Sequence, residues 1–283
     1  MFNFFANIFG YVLNFIYNIV NNYGVAIILF TILLKLIMLP ITINQQKTMK
    51  KSAKVQEKVK DIQAKYKNDQ ARMNQELVDL YKRENMSPFS GCLSSIIQII
   101  LIISMFYLVS RPLTYMKHVE PELLSKYTNE LKEENENNRY SEIGIIRLKG
   151  GEDERVNLNM NFLGLNLSSI PSQNYKDWKV YIIPILYVLT SFISTKITMN
   201  TNKSVKNEKK MEENNLNKEL IKKEDEVDMT EEMNKNMAIM MPFMTVSIAL
   251  IAPLGLALYW FVNNLLMLCE RLLLNKFFKE EEN

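Results

Sequence analysis

The sequence has few of the side chains that usually carry covalent chemistry or bind metals. Among its 283 residues are two cysteines, Cys92 and Cys269, and one histidine, His118. The cysteines show no conspicuous pairing pattern, so we interpret them as small membrane-compatible side chains rather than a disulfide framework. No metal-ligand cluster, glycine-rich phosphate loop or nucleophile–base pair is present, and His118 is predicted to be inert. We therefore predict neither an enzyme nor a cofactor or metal site.

Charge is nearly absent from several long stretches, although Asp, Glu, Lys and Arg make up 23% of the chain. About 20 apolar residues cross the roughly 30 Å of hydrocarbon in a bilayer. The uncharged stretch Met237–Cys269 is too long for one crossing and contains the Pro/Gly turn signal Ala252–Gly255. We predict an all-α polytopic membrane protein with five transmembrane helices, at residues 24–43, 91–110, 180–197, 237–252 and 254–272.

Basic residues are unevenly distributed between the segments that join these spans. Gln45–Ser87 carries eleven Lys and Arg against six acidic residues, whereas Arg111–Trp178 carries nine against eleven. Because Lys and Arg accumulate on the cytoplasmic side, 45–87 is predicted to be cytoplasmic and 111–178 extracellular. The chain is then a multi-pass plasma-membrane protein with its N-terminus outside and its tail, 273–283, in the cytoplasm.

The first 22 residues lack the basic start and the cleavage site of a signal peptide. Asparagines recur at intervals close to one helical turn, and apolar residues including Phe5, Phe9 and Ile16 lie on the opposite side. This pattern predicts an amphipathic helix in the outer membrane interface. The alternative is an additional, weakly apolar span.

Lys35 is the one charge in the first span, where a lysine costs about 3 kcal/mol on insertion scales. Thr31 and Thr42 share its helical face. We count no Asp or Glu inside any span, which leaves water or neutral acceptors as the partners of Lys35. Other spans carry polar stripes, and together these predict a shared hydrophilic groove, although Ser and Thr can also simply bond their own helix. These stripes are Ser94, Ser95 and Gln98; Tyr187, Thr190, Ser191, Ser194 and Thr195; and Tyr259, Trp260, Asn263 and Asn264.

The connecting segments carry weaker signals. Apolar residues at helical spacing on either side of Lys67–Asp69 predict an antiparallel helical hairpin over 45–87. Its basic flanks are consistent with a surface that contacts anionic lipid, ribosomal RNA or only solvent, and charge alone does not distinguish these three interpretations. The charged loop 199–236 is predicted to be flexible or partly helical. The short apolar piece Asn161–Leu167 is predicted to dock on the membrane interface.

The order of these features resembles the YidC/Oxa/Alb family of membrane-protein insertases. The resemblance covers nearly the whole chain, from "NYGVAIILFTILLKLIMLP" to "APLGLALYWFVNN", with "GC…Q" of the second span as a specific motif. It implies a hydrophilic groove that is open to cytoplasm and lipid and closed on the outside. Such a groove would use its positive charge to move short extracellular polar segments of nascent membrane proteins across the bilayer.

The resemblance also implies roles for individual residues. The family's groove usually carries an arginine, and the matching position here is Lys35, which keeps the charge but lacks the planar guanidinium. Two prolines usual in the second span are replaced by Ser94 and Ile100, which predicts a straighter helix. The implied groove residues are Lys35, Thr31, Gln98, Ser194, Tyr259, Trp260 and Asn263. A methionine face, which is either a substrate-release face or lipid-facing filler, comprises Met237, Met240, Met241 and Met244.

Nascent membrane proteins and membrane lipids are the partners that the resemblance implies. The ribosome and signal-recognition components at 45–87, and the Sec translocon, remain open, and no DNA partner is expected. Two other classes of function stay in view. One is a small-solute transporter with Lys35 as its anion site, although the sequence shows no internal repeat. The other is a scaffold whose hairpin recruits a cytosolic partner and which does not need Lys35.

Overall fold

A computed structural model of the chain describes residues 2–85, 90–133, 140–213 and 244–281, with some side chains inside these ranges left undescribed. Most of the described chain is helical. The helices are α1 (Phe2–Val20), α2 (Tyr23–Lys65), α3 (Gln70–Arg83), α4 (Ser90–Ser110), α5 (Pro112–Tyr115), α6 (Pro121–Glu133), α7 (Ser141–Lys149), α8 (Ile182–Glu213), α9 (244–251) and α10 (Leu254–Glu281). A two-stranded antiparallel sheet, β1 (Asn161–Phe162) and β2 (Leu165–Asn166), lies between α7 and a 3₁₀ turn at Trp178–Tyr181.

Helix α2 joins the predicted first span to the first half of the predicted hairpin. Its 43 residues extend roughly 65 Å, about twice the hydrocarbon thickness. The helix begins where the Asn22 side chain accepts a hydrogen bond from the Val25 N–H, and it continues through Pro40, which lacks the N–H for one helical bond. One rigid element therefore connects the apolar part of the chain to the polar part.

The second half of α2 and helix α3 form a helical hairpin, here called the arm (45–85). The turn between them lies at residues 66–69, where the Asp69 side chain accepts from the Arg72 N–H and caps α3. Val55 and Leu80 are buried in the arm, and Lys58 Nζ lies 2.5 Å from Glu84 Oε1 across it. That hydrogen bond from Lys58 is the main cause of a lowered pKa at the Glu84 carboxyl.

Segment 111–178, here called the cap, covers the ends of several helices. The Tyr23 N–H donates to Asn159 O at 3.0 Å, and the Leu254 N–H donates to Ser169 O at 2.9 Å. Helices α2 and α10 therefore both begin at the cap and run away from it side by side. Asn161–Leu167, predicted to dock on the interface, forms the β1–β2 hairpin, whose tip residue Leu163 is exposed.

Helix α1 touches the cap along its whole length. The Tyr115 hydroxyl donates to Asn3 Oδ1 at 3.2 Å, and the Asn159 N–H donates to the Tyr17 hydroxyl at 2.9 Å. Between them Gly10 packs on the Tyr115 carbonyl so closely that a Cβ at this position would clash with its oxygen. The buried face of α1 is Ala6, Gly10, Leu13 and Tyr17, beside the face that the sequence pattern indicates.

Four of the described helices are long and apolar enough to cross a membrane, namely 2–20, 23–48, 178–197 and 254–274. In α4 the described apolar part is Ile99–Ser110. Residues 237–243 of the predicted fourth span, 237–252, lie outside the described residues, whereas 244–252 are described. Helix α9 ends at the turn signal around Pro253, and α10 begins immediately after it. The five-helix arrangement remains a prediction.

Candidate functional site

Lys35 of α2 faces an acidic residue of α10 inside the apolar part of the molecule. Lys35 Nζ lies 3.6 Å from Glu270 Oε2, and the two side chains are 24% and 9% exposed. Lys35 is about 18 Å along α2 from the cap, and Glu270 is about 24 Å along α10. Both therefore lie well below the cap and within the stretches apolar enough to cross a membrane.

This ion pair corrects the expectation that no acidic residue lies inside a span. That expectation was wrong because the predicted span 254–272 extends beyond the uncharged run, which ends at Cys269, and includes Glu270. Helix α10 continues unbroken to Glu281, so Glu270 is part of the packed helix. The sequence held a signal for it, since Tyr259, Asn263 and Glu270 are spaced to share one helical face.

Glu270 changes the electrostatics of the site. At an effective dielectric constant of about 20, two unit charges 3.6 Å apart attract by about 5 kcal/mol, which is offset by the cost of removing both from water. The pair has no net charge, whereas Lys35 alone would present a single positive charge. A segment that enters this site meets a cation and an anion side by side.

The pair does not use all of its hydrogen-bonding capacity. Glu270 Oε1 is buried and has no hydrogen-bond partner in the part of the chain that the structure describes. Its other oxygen lies 3.6 Å from Lys35 Nζ, longer than the 2.7–2.9 Å of a charge-assisted hydrogen bond. Buried polar groups in proteins are nearly always satisfied, so this carboxylate is an exception that calls for an explanation.

Thr31 and Thr42, predicted to share a polar face with Lys35, bond their own helix. The Thr31 hydroxyl donates to Ile27 O at 2.6 Å, and Thr31 is 1% exposed. The Thr42 hydroxyl likewise donates to Met38 O at 3.1 Å. These contacts explain how the threonines are tolerated in an apolar helix, and their role in a groove remains a prediction.

Helices α8 and α10 meet through polar and aromatic side chains. Asn264 Nδ2 donates to Ser191 Oγ at 2.7 Å, and the rings of Tyr187 and Trp260 lie 5.7 Å apart. Ser194 and Tyr259 are buried, whereas Trp260 and Asn263 are half-buried. The structure thus places these predicted groove residues at or beside the α8–α10 contact.

Some predicted site residues lie beyond what the structure describes. The Gln98 side chain, Met237, Met240 and Met241 are outside the described part, and so are Ser94 and Ser95 as side chains. Met244, in the described part of α9, is exposed. The methionine face therefore remains a prediction.

The cap contains a second buried acid, Glu142 of α7. Its carboxylate accepts hydrogen bonds from the Thr114 N–H at 2.9 Å and the Thr114 hydroxyl at 2.5 Å. Burial raises the pKa of Glu142, and these two hydrogen bonds offset part of the shift. Glu142 borders a cavity of about 820 Å³ that Arg111 and Lys132 also line.

The apolar helices and the charged pair define a multi-pass α-helical membrane protein. Residues 15–281 match the family model described as the 60Kd inner membrane protein. The chain therefore belongs to this family, which is the YidC/Oxa/Alb family that the motifs indicate.

Its relatives carry the name "Membrane protein insertase YidC". The protein of Treponema denticola is 26% identical over 273 residues, which are 95% of this chain and 37% of that protein. The protein of Francisella tularensis subsp. novicida is 38% identical over 109 residues, which are 38% of this chain and 20% of that protein. The chain thus spans well under half the length of these relatives.

Proposed function

We propose that this protein is a membrane-protein insertase that moves short polar segments of nascent membrane proteins across the bilayer and helps those proteins fold. The observation that carries the proposal is membership of the insertase-named family over residues 15–281. The Lys35–Glu270 pair supplies a polar site where such a segment can pass. No covalent step is required, and no catalytic residue is assigned.

The proposed site lowers the barrier to crossing by replacing part of the water that a polar segment loses. The Lys35 side chain is 24% exposed, and we propose that its ammonium offers its three hydrogen-bond donors to the passing segment. Transferring an unpaired amide or hydroxyl into hydrocarbon costs several kcal/mol. Once the polar segment has passed, the apolar part of the substrate moves into lipid, and its burial there drives the step forward.

We further propose that the cap is extracellular and that the arm is cytoplasmic. The support is the basic excess of the segment 45–87 over 111–178. Helix α1 would then lie in the outer interface, because its contacts with the cap extend from Asn3 to Tyr17. A crossing helix would instead meet the cap at one end. The basic arm is the surface we propose for contact with a ribosome, signal-recognition components or anionic lipid.

Reconstitution tests the proposal. Purified protein in liposomes is supplied with a small single-span protein during its synthesis, and insertion is scored by protease protection against empty liposomes. We expect insertion well above the empty-liposome background for the wild type and for Lys35→Arg. Folding of each sample is checked by its thermal unfolding in detergent, so that a negative result refers to folded protein.

The same liposomes separate the rival functions. A transporter would carry labelled small anions across the vesicle membrane without promoting insertion. A scaffold would bind ribosomes through the arm and would tolerate replacement of Lys35. Folded wild-type protein that gives no insertion above background would contradict the insertase proposal.

A further inference from the structure

Glu270 carries a buried acceptor with no described partner, and that atom lies in the proposed substrate path. Its side chain is 9% exposed, and Oε1 is the oxygen that lacks a hydrogen bond in the described residues. The other oxygen points to Lys35, which is itself partly exposed. A charge-assisted hydrogen bond is shorter, at 2.7–2.9 Å, so neither oxygen of this carboxylate has a strong hydrogen bond among the described residues.

We propose that Glu270 is a second substrate-binding group of the site, and this inference rests on the proposed insertase function. Its unpartnered oxygen accepts a hydrogen bond from a donor of the passing segment, while Lys35 donates to acceptors. The ligand class is a polar polypeptide segment that carries donors, and the strongest ligand is a Lys or Arg side chain. The site thus accommodates both signs of charge, rather than acidic segments alone.

The geometry supports this assignment through charge as well as hydrogen bonding. With Lys35 alone, a basic segment would meet uncompensated repulsion inside a site of low dielectric constant. Glu270, 3.6 Å from Lys35 Nζ, cancels that repulsion at the point where it would be strongest. It also competes with acidic segments for Lys35, so the attraction of the site for them is weaker than that of a lone lysine.

The experiment uses Glu270→Gln and three versions of one single-span substrate, with basic, neutral or acidic outer tails. Glutamine keeps the size and one acceptor oxygen of glutamate but removes the charge. We expect insertion of the basic tail to fall about tenfold, insertion of the neutral tail to stay near wild type, and insertion of the acidic tail to rise severalfold. Glu122→Gln, an exposed charge removal in the cap, is the matched control and should leave all three tails unchanged.

A charge-swapped variant distinguishes a loss of substrate binding from a loss of folding. Lys35→Glu combined with Glu270→Lys keeps an ion pair across the same helices. We expect it to unfold near the wild-type temperature and to insert basic and acidic tails in a ratio close to that of wild type. If Glu270→Gln reduces all three tails equally, or changes none of them, Glu270 is a structural counter-ion and the inference is overturned.

Binding of labelled tail peptides to the protein in nanodiscs separates this inference from the proposed function. If the wild type inserts no substrate but Glu270→Gln still weakens the basic peptide and strengthens the acidic one, the insertase proposal fails and the binding role stands. If the wild type inserts substrate but peptide binding does not depend on Glu270, the insertase proposal stands and the binding role of Glu270 fails.

Discussion

Glu142 in the cap and Glu270 in α10 both have little exposed surface, but they differ in how their carboxylates are hydrogen-bonded. Glu142 accepts two short hydrogen bonds from Thr114 of the neighbouring helix α5. Glu270 has an ion-pair partner at 3.6 Å and one oxygen without any described hydrogen bond. A buried carboxylate that is fully hydrogen-bonded helps to fix one structure. One that is half satisfied retains the capacity to bind something that passes.

Among the variants considered, removal of Lys35 should have the largest effect on stability and on insertion. Lys35→Leu leaves the Glu270 carboxylate buried without its counter-charge, which we expect to lower the free energy of unfolding by about 3 kcal/mol and to reduce insertion at least tenfold. Lys35→Leu with Glu270→Leu should recover most of the stability but not the insertion. Denaturant unfolding in detergent and protease protection measure the two quantities. A Lys35→Leu protein as stable as wild type would show that the pair is not coupled.

Removal of the Thr114 hydroxyl should leave Glu142, like Glu270, with one carboxylate oxygen that has lost its hydrogen-bond donor. Thr114→Val leaves one carboxylate oxygen without its hydroxyl donor, so we expect a loss of about 1–3 kcal/mol in the free energy of unfolding. Ser125→Ala, an exposed change in the same cap, should stay within about 0.5 kcal/mol of wild type. Unfolding curves of the two variants make the comparison, and equal stability of both would remove the structural role assigned to this contact.

Above the ordinary glutamate pKa, the stability of the cap should decrease with rising pH because of Glu142. Because its pKa is raised, the folded protein binds this proton more tightly than the unfolded chain does. Cap stability should therefore fall as the pH rises from the ordinary glutamate pKa to the raised one. Glu142→Gln should remove that part of the slope. Hydrogen exchange of the α7 amides against pH measures it.

Asp153 should give a slope of the opposite sign, but at lower pH than Glu142. Its pKa is depressed, first by the hydrogen bond from Arg155, so its contribution is present above the ordinary aspartate pKa and is lost as the pH falls. Asp153→Asn provides the control for the sign. Protection from exchange that increased with pH above the ordinary glutamate pKa, in wild type and in Asp153→Asn alike, would contradict the sign assigned to Glu142.

Removal of the hydrogen bond between α8 and α10 should have the smallest effect on stability. Asn264 and Ser191 form a neutral hydrogen bond between two helices, and such bonds average about 0.6 kcal/mol in membrane proteins. A double-mutant cycle with Asn264→Ala and Ser191→Ala measures the coupling energy directly. A coupling above that of the Lys35–Glu270 cycle would reverse the ranking of the two helix contacts.

Two local features of the structure depend on a few neighbouring residues, so the sequence carries a signal for each. The turn at Lys67–Asp69 lies where α2 gives way to α3, and the break between α9 and α10 lies at the Pro/Gly signal around Pro253. The family was recognisable from motifs such as "GLALYWFVNN", and residues 15–281 match its model. Glu270 was missed because the uncharged run ends one residue before it, and its pairing with Lys35 depends on how α2 packs against α10.

By itself the sequence determined that this is an α-helical membrane protein of the insertase-named family, since apolar length and motif order are properties of the chain. Only the tertiary structure decided the partners of its polar groups. Between helices, Asn264 bonds Ser191 and Lys35 faces Glu270. The reason is physical: helical spacing fixes which residues share a face, but the packing of α2 against α10 fixes which faces meet.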